Sequence, residues 1–146
     1  VTYKKGDEGV LYATGSQNSG VSFFVQNDRL VLDYNAFGDH AIVESSSVIP
    51  DGDHEFRVKL RRGDGMAGNL EIEIDGVSAG SVQVPLYMRM ISSLGPSVGY
   101  DHGSAVSTRY AAPYEYTGDL HEVVLESGKA KPDVASAEAK AEMNRQ

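Results

Sequence analysis

The chain has 146 residues, of which 40% are hydrophobic and 23% are charged, and its formal net charge at pH 7 is −8. The length suits a single domain, and the composition is that of a globular protein rather than a disordered one. The negative charge argues against nucleic acid and against an anionic membrane surface as partners, because both require a basic contact face. The absence of cysteine excludes disulfides, thiolate metal sites and a cysteine nucleophile. No apolar run reaches about 18 residues, so no membrane span is predicted.

Short strands follow one another along most of the chain. Alternating apolar and charged side chains predict the strands Phe56–Arg61, with cations outside, and Leu70–Ile74, with anions outside. The dipeptides Asn27-Asp28 and Asp75-Gly76 predict two-residue hairpin turns, because Asn, Asp and Gly tolerate positive φ. The remaining strand-like runs are Val10–Ala13, Val21–Gln26, Arg29–Tyr34, Ala41–Glu44, Val82–Val84, Tyr87–Ile91, Ser97–Tyr100 and Leu120–Leu125. About nine or ten short strands predict an all-β fold, an antiparallel two-sheet sandwich over residues 1–127.

The composition changes after Gly128 to a tail rich in Ala, Lys and Glu, over residues 128–146. Pro132 and Asp133 could start a helix, but about a dozen residues form only a marginal helix in water. We therefore expect a short tail that is helical or disordered. The chain begins at Val1 without a methionine, as a processed product or an excised part of a longer polypeptide does. The compartment, cytoplasmic or periplasmic and secreted, stays open.

Three patterns resemble catalytic motifs, and each has a simpler structural explanation. Glu71, Glu73 and Asp75 would lie on one strand face, as the carboxylates of jelly-roll glycosidases do. Asp75 is more simply a turn residue, however, and the chain has no tryptophan to stack a sugar ring. Gly95–Gly99 matches the G-x-S-x-G nucleophile elbow around Ser97, but that motif needs a strand before the serine and a helix after it. The four histidines lack metal-ligand spacing, so no catalytic residue and no firm metal ligand is predicted.

One long connection, Gly99–Gly118, carries four of the eight tyrosines and is called the 99–118 loop below. Connections of this length without structure of their own are uncommon in a compact domain and are often functional. This part of the chain is similar to the closing portion of the C-terminal domain of a bacterial arylsulfatase subfamily. The residues that carry the similarity are Val98–Ser107, then Tyr110, Pro113-Tyr114 and Tyr116–Gly118. Other stretches that resemble that domain, in the same order, are Arg29–Asn35, Ile49–Phe56, and Leu70–Gly76 followed by Gly80. The resemblance covers about residues 8–126. It departs from the family at Tyr100, where Arg or Lys is common.

The resemblance implies a concanavalin A-like (laminin-G-like) jelly roll that is appended to a sulfatase catalytic domain. The sulfatase site itself cannot lie in this chain, because neither the Cys nor the Ser form of the signature that yields formylglycine occurs. We therefore expect a non-catalytic accessory domain that packs on its own catalytic domain or on a second subunit. A carbohydrate-binding, lectin-like module is the alternative. A jelly-roll glycoside hydrolase is less favoured because tryptophan is absent.

The 99–118 loop is the expected contact surface. Its candidate residues are Asp101, Ser104, Ser107, Tyr110, Tyr114 and Tyr116. The three tyrosines offer apolar area and a hydroxyl at little cost in conformational entropy. The three shorter side chains would cap turns within the loop or ligate a calcium ion. Turn capping is favoured, because one carboxylate is a poor calcium site. Asp101 is therefore a weak calcium candidate, and no other cofactor is expected.

Overall fold

A computed structural model describes residues 1–62, 67–84 and 96–125 of the chain. These residues form strands and no helix. The strands are β1 Thr2–Tyr3, β2 Gly9–Gly15, β3 Gly20–Gln26, β4 Arg29–Ala36, β5 Asp39–Glu44, β6 Gly52–Asp53, β7 Phe56–Arg62, β8 Gly68–Ile74, β9 Val77–Val84 and β10 Ser97–Val98. All pairings between them are antiparallel, which confirms the all-β prediction.

Within the described part of the chain, no helix is long and apolar enough to cross a membrane.

The strands form a sandwich of two larger sheets. One sheet has the order β10-β2-β3-β4-β5, the other has the order β7-β8-β9, and β1 pairs with β6 in a small third sheet. Because successive side chains of a strand point to opposite faces, β4 sends Leu30, Leu32 and Tyr34 to the core between the sheets. Leu70 and Ile72 of β8 meet them there. The predicted antiparallel sandwich is confirmed, and its jelly-roll topology stays a prediction.

Tight turns set the strand order within each sheet. The turns Asn27-Asp28 and Asp75-Gly76 join paired strand ends and have positive φ at both residues, as type I′ turns require. Both predicted hairpins are therefore confirmed. A third turn of the same kind, Phe37-Gly38, joins β4 to β5 with φ of 53° and 92°. The sequence did not predict it, because phenylalanine is not a residue that favours positive φ.

The final predicted strand, Leu120–Leu125, is wrong. Residues 120–125 form no strand, and the contact before them is a single bridge between Asp119 and Thr2. Thr2 belongs to the two-residue β1, which already pairs with β6. The segment around Asp119 therefore pairs with β1 at one residue only. The predicted strand Tyr87–Ile91 and the tail from residue 126 onward lie outside the described residues.

The two sheets approach closely where β5 meets β9. Ser46 N donates to Ala79 O at 2.9 Å, just beyond the end of β5. A Cβ added to Gly80 would lie 2.9 Å from Val43 Cγ2 and 3.0 Å from Glu44 O. Glycine at this position therefore allows the sheets to close at that edge.

We expect Gly80→Ala to lower the free energy of unfolding by about 1 to 3 kcal/mol, because the added methyl overpacks a closed contact. Ser81→Ala, at the next and exposed position, is the matched control and should stay within about 0.5 kcal/mol of the original chain. Urea unfolding measures both. Equal stability of the two variants would contradict the close approach of β5 and β9.

Candidate functional site

The 99–118 loop forms a third layer on the outer face of the five-stranded sheet, the face that points away from the core. Phe24, Val31 and Val10 are fully buried on this face, and Tyr110 and Tyr114 of the loop pack against them. The loop has no helix and no regular strand, and it contacts the sheet through one isolated bridge, between Glu115 and Val10, and through further backbone and side-chain contacts. It is therefore a covering layer rather than a lid over a cavity.

Tyr110 lies at the centre of this layer. Its ring meets the Phe24 ring edge-on at a centroid distance of 5.1 Å and stacks on the Tyr114 ring at 5.0 Å. Its hydroxyl donates to Asp101 Oδ2 at 2.5 Å and shares a hydrogen bond of 2.8 Å with Ser22 Oγ. Burial raises the pKa of Tyr110, and the hydrogen bond to the Asp101 carboxylate raises it further. A neutral phenol therefore ties the loop to β3.

The predicted polar residues of the loop hold backbone amides. Asp101 is buried, and its Oδ2 accepts from Val106 N at 3.0 Å as well as from Tyr110. Ser107 Oγ accepts from Arg109 N at 3.2 Å, which is a local turn contact. Ser104 Oγ accepts from Gln17 N at 3.0 Å in the connection between β2 and β3. The Asp101 and Ser107 contacts lie within the loop, whereas the Ser104 contact joins the loop to the β2–β3 connection.

No metal centre is formed by the described ranges. Among residues 1–62, 67–84 and 96–125, no group of three or more His, Asp or Glu side chains could hold a metal ion. The calcium alternative at Asp101 stays a prediction.

Tyr114 and Tyr116 are half-buried and turned toward the sandwich. The Tyr114 hydroxyl donates to Val25 O at 3.3 Å, and the Tyr116 hydroxyl donates to Thr2 O at 3.1 Å. Burial raises the pKa of Tyr114. Burial and the nearby Asp7 and Asp119 charges raise the pKa of Tyr116 to about 12. The outward side of the loop exposes Tyr100, Gly103 and further small or charged residues, namely Thr108, Arg109, Ala111, Pro113, Glu115 and Thr117.

Backbone contacts fix the second half of the loop to β2. Val10 N donates to Tyr114 O at 2.8 Å. A Cβ on Gly9, whose φ is +127°, would lie 2.2 Å from Glu115 O. Only glycine permits that approach at a positive φ. The sequence alone does not predict this role of Gly9, because a glycine at a strand start is also an ordinary turn signal.

Asn35 is a second anchor that the sequence analysis missed. Its Nδ2 donates to Gln17 O at 2.9 Å and to Val106 O at 3.1 Å, so one buried amide joins β4 to two connections. Near the other end of the sheet, Gln26 Nε2 donates to Arg109 O at 2.9 Å, and Arg109 pairs with Glu44. Asn and Asp are depleted in strands. The presence of Asp33 and Asn35 in a strand-like run was therefore the sequence signal that these side chains have a specific role.

A buried Asp–His pair also lies on the outer face. Asp33 is fully buried, and its Oδ1 lies 2.8 Å from His40 Nδ1. Asp33 Oδ2 is the buried side-chain atom without a hydrogen-bond partner in the described part of the chain. The sequence analysis assigned no role to either residue.

The three carboxylates of the glycosidase-like pattern serve different contacts. Glu73 lies on the same face of β8 as Glu71, as the alternation predicts, but it is only 8% exposed. The β-bulge of this hairpin lies in β9, where Ala79 is the extra residue between Ser78 and Gly80. Glu73 Oε2 pairs with Lys59 Nζ at 2.9 Å, and Glu71 accepts from Ser78 Oγ at 3.2 Å. Asp75 is the turn residue that the simpler explanation predicted.

The nucleophile-elbow pattern also has a structural use. Ser97 lies in β10 and is buried, and its hydroxyl donates to Ala13 O at 3.5 Å. The residues that follow it, 99–118, contain no helix. The strand–turn–helix geometry that the elbow requires is therefore absent around Ser97.

An open hollow of about 340 Å³ lies near the β8–β9 turn. It is lined by Val1, Asp53, His54, Glu55, Asp75 and His121. His54 Nδ1 lies 2.6 Å from Asp75 Oδ2, and His54 Nε2 lies 2.6 Å from Pro50 O. The hydrogen bond with His54, followed by one from Glu55 N, holds the pKa of Asp75 below its usual value. The hollow is acidic, and these side chains are engaged in joining β7, the β8–β9 turn and the segment before β6.

Comparison of the chain with protein-family models and with curated proteins finds no match.

We expect Tyr110→Phe to lower the free energy of unfolding by about 1 to 2 kcal/mol, because it removes a hydroxyl shared between Ser22 and the buried Asp101 carboxylate. Tyr100→Phe is the matched control, since Tyr100 is exposed, and should change stability by less than about 0.5 kcal/mol. Chemical denaturation compares the two. If Tyr110→Phe leaves the free energy of unfolding unchanged, the hydroxyl does not hold the loop.

Stability should also fall at alkaline pH. The pKa values of Tyr3, Tyr110, Tyr114 and Tyr116 are raised above 10.0 in the folded chain, chiefly by burial. Above pH 10 the unfolded chain releases phenol protons that the folded chain retains. The stabilisation is therefore complete below pH 10 and is lost as the pH rises through the folded values, about 12 for Tyr116. When the pH is raised, tyrosinate absorbance should appear at a higher pH in the native chain than in the chain unfolded in urea. Coincident titration curves would contradict this expectation.

Proposed function

We propose that this chain is a non-catalytic accessory domain of a bacterial arylsulfatase, a sulfuric ester hydrolase, and that it acts by packing on the catalytic domain or on a partner subunit. The resemblance to the family covers about residues 8–126, and its specificity comes from the order of its stretches together with the Asp101–Gly118 loop. The observation that carries the proposal is that this segment is a covering layer, held on the outer face of the sheet by Tyr110 and Tyr114. Such a layer offers a surface rather than a reaction chamber.

The partners of the reactive-looking side chains support an accessory function. The Ser97 hydroxyl bonds to Ala13 O, and Glu73 pairs with Lys59. A nucleophile needs a base within hydrogen-bond reach, and a retaining glycosidase needs two carboxylates that face one substrate. Ser97 and Glu73 are engaged in contacts that stabilise the sandwich. Their engagement supports a binding function rather than a catalytic one.

The outward side of the loop is the proposed contact surface. Its backbone is fixed to β2 through Tyr114 O and to β4 through Val106 O. A surface that is already rigid loses little conformational entropy on association. Ala111 and Pro113 are exposed between Tyr110 and Tyr114, and they supply small apolar groups that a partner surface can cover.

We expect Ala111→Glu to weaken association with the sulfatase catalytic domain of the same polypeptide by about tenfold or more, because it places a charge in a contact that excludes water. The two parts are expressed separately and their association is measured by analytical ultracentrifugation. Ser81→Glu, an equally exposed change on the three-stranded sheet, is the matched control and should leave association unchanged.

Unaltered association of Ala111→Glu would remove the loop as the contact surface. A second measurement separates the lectin-like alternative, namely calorimetric titration of the chain with neutral and with sulfated oligosaccharides. Saturable sugar binding together with no association to the catalytic domain would replace the proposal by a carbohydrate-binding module.

A further inference from the structure

Phe37 occupies a strained backbone position, and its exposed side chain contributes little to the stability of the isolated domain. It is the first residue of the β4–β5 turn with a φ of 53°, in the left-handed region that a side chain with a Cβ disfavours. Its side chain is 70% exposed and belongs to neither apolar cluster of the sandwich. Residues held in strained backbone conformations cluster at functional sites.

The turn that carries Phe37 is held rigidly. The buried Asn35 side chain accepts from Gly38 N at 2.8 Å through its Oδ1. The same side chain donates to Gln17 O and to Val106 O, so one amide joins the turn, the β2–β3 connection and the 99–118 loop. Phe37 is thus presented from a fixed support at the end of the sheet where Ser104 and Val106 of the 99–118 loop lie, and its backbone is ordered before a partner binds.

The neighbours of Phe37 at this end of the sandwich are mostly uncharged. The β2–β3 connection contributes Ser16–Ser19, with Gln17 and Asn18 exposed. Gln17 N bonds to Ser104 of the 99–118 loop, which places a further small polar residue there. Apart from Asp39, which follows the turn, these residues carry no charge. The whole chain has a net charge of −8, but this end carries little of it. A partner that contacts this end therefore needs little compensating charge.

The shape and the charge of this end favour a protein partner. Small ligands bind in concave sites, whereas the Phe37 ring projects from a turn, and the acidic hollow lies near the β8–β9 turn instead. Anionic lipid would require basic residues, which the named neighbours of Phe37 lack. An aromatic anchor surrounded by small polar residues that exclude water is the usual centre of a protein interface.

We infer that Phe37 anchors the docking of this domain by inserting its ring into an uncharged apolar pocket of the partner catalytic domain, with the Ser16–Ser19 connection and Ser104 forming the polar rim. The inference rests on the proposed function and moves the energetic centre of the contact from Tyr110, Tyr114 and Tyr116, which face the sandwich, to the β4–β5 hairpin tip beside Ser104 and Val106.

The test is Phe37→Asn, which gives the turn the Asn-Gly sequence that type I′ turns favour. The isolated chain should gain stability, with a rise in Tm of about 2 to 5 °C. Association with the separately expressed sulfatase catalytic domain should weaken by about tenfold or more, because the anchor is lost. A purely structural residue would not raise stability and lower association together.

Two control variants separate exposure from strain. Val77→Thr removes an apolar side chain that is 69% exposed at the β8–β9 turn, and it should change neither Tm nor association. Asn27→Phe places phenylalanine at the first position of the β3–β4 turn, where φ is 54°. It should lower Tm by a similar few degrees and leave association unchanged.

Each outcome decides between the inference and the proposed function. Full association of Phe37→Asn, with normal association of the original chain, overturns the inference alone. An unchanged or lower Tm of Phe37→Asn also overturns it, because the turn would then not be strained. Absence of association by the original chain overturns the proposed function, and the inference falls with it. Binding of a neutral hexasaccharide that Phe37→Asn abolishes would replace the protein partner by a carbohydrate.

Discussion

Strands β3 and β4 are buried on both of their faces, and this constraint forces the chain into three layers. The residues of β3 from Gly20 to Val25 and those of β4 from Leu30 to Ala36 are all buried. One face is covered by the three-stranded sheet, as in any sandwich. The other face would expose Phe24 and Val31 to water without the 99–118 loop. Covering apolar area is favourable by about 25 cal/mol per Å², so the loop stays on the sheet.

The outer layer is specified by polar contacts as well as by apolar area. Ser22, Asp33 and Asn35 are fully buried on this face, and a buried polar group without a partner is costly. Tyr110 bonds to Ser22 and Val106 O bonds to Asn35, so the loop has one favourable placement rather than many. The same contacts make its outward side and the neighbouring β4–β5 turn a rigid surface, which is the property that a docking domain needs.

Local chemistry accounts for the parts of the fold that could be predicted. The period-2 pattern of β7 and β8 and the turns Asn27-Asp28 and Asp75-Gly76 depend on neighbouring residues alone, and the structure confirms them. The errors occur where a distant partner decides. Leu120–Leu125 has strand-like residues but pairs with no strand, and the single bridge to Thr2 is made by Asp119 before it. Glu73 is 8% exposed although it lies on the charged face of β8, where it pairs with Lys59 of β7.

The amino-acid sequence by itself determined that the domain is all-β, where two of its tight turns lie, that cysteine chemistry is excluded, and which loop is unusual. These properties follow from composition and from the periodicity and turn preferences of adjacent residues. Only the tertiary structure decided that Tyr110, Tyr114 and Tyr116 face the sandwich, that Asp101 bonds to Val106 N and Tyr110, and that Phe37 projects into solvent. The physical reason is that the direction of a side chain in an irregular loop is set by the surface it must cover. Here that surface is built by strands about 90 residues earlier in the chain, as the contact between Ser22 and Tyr110 shows with a separation of 88 residues.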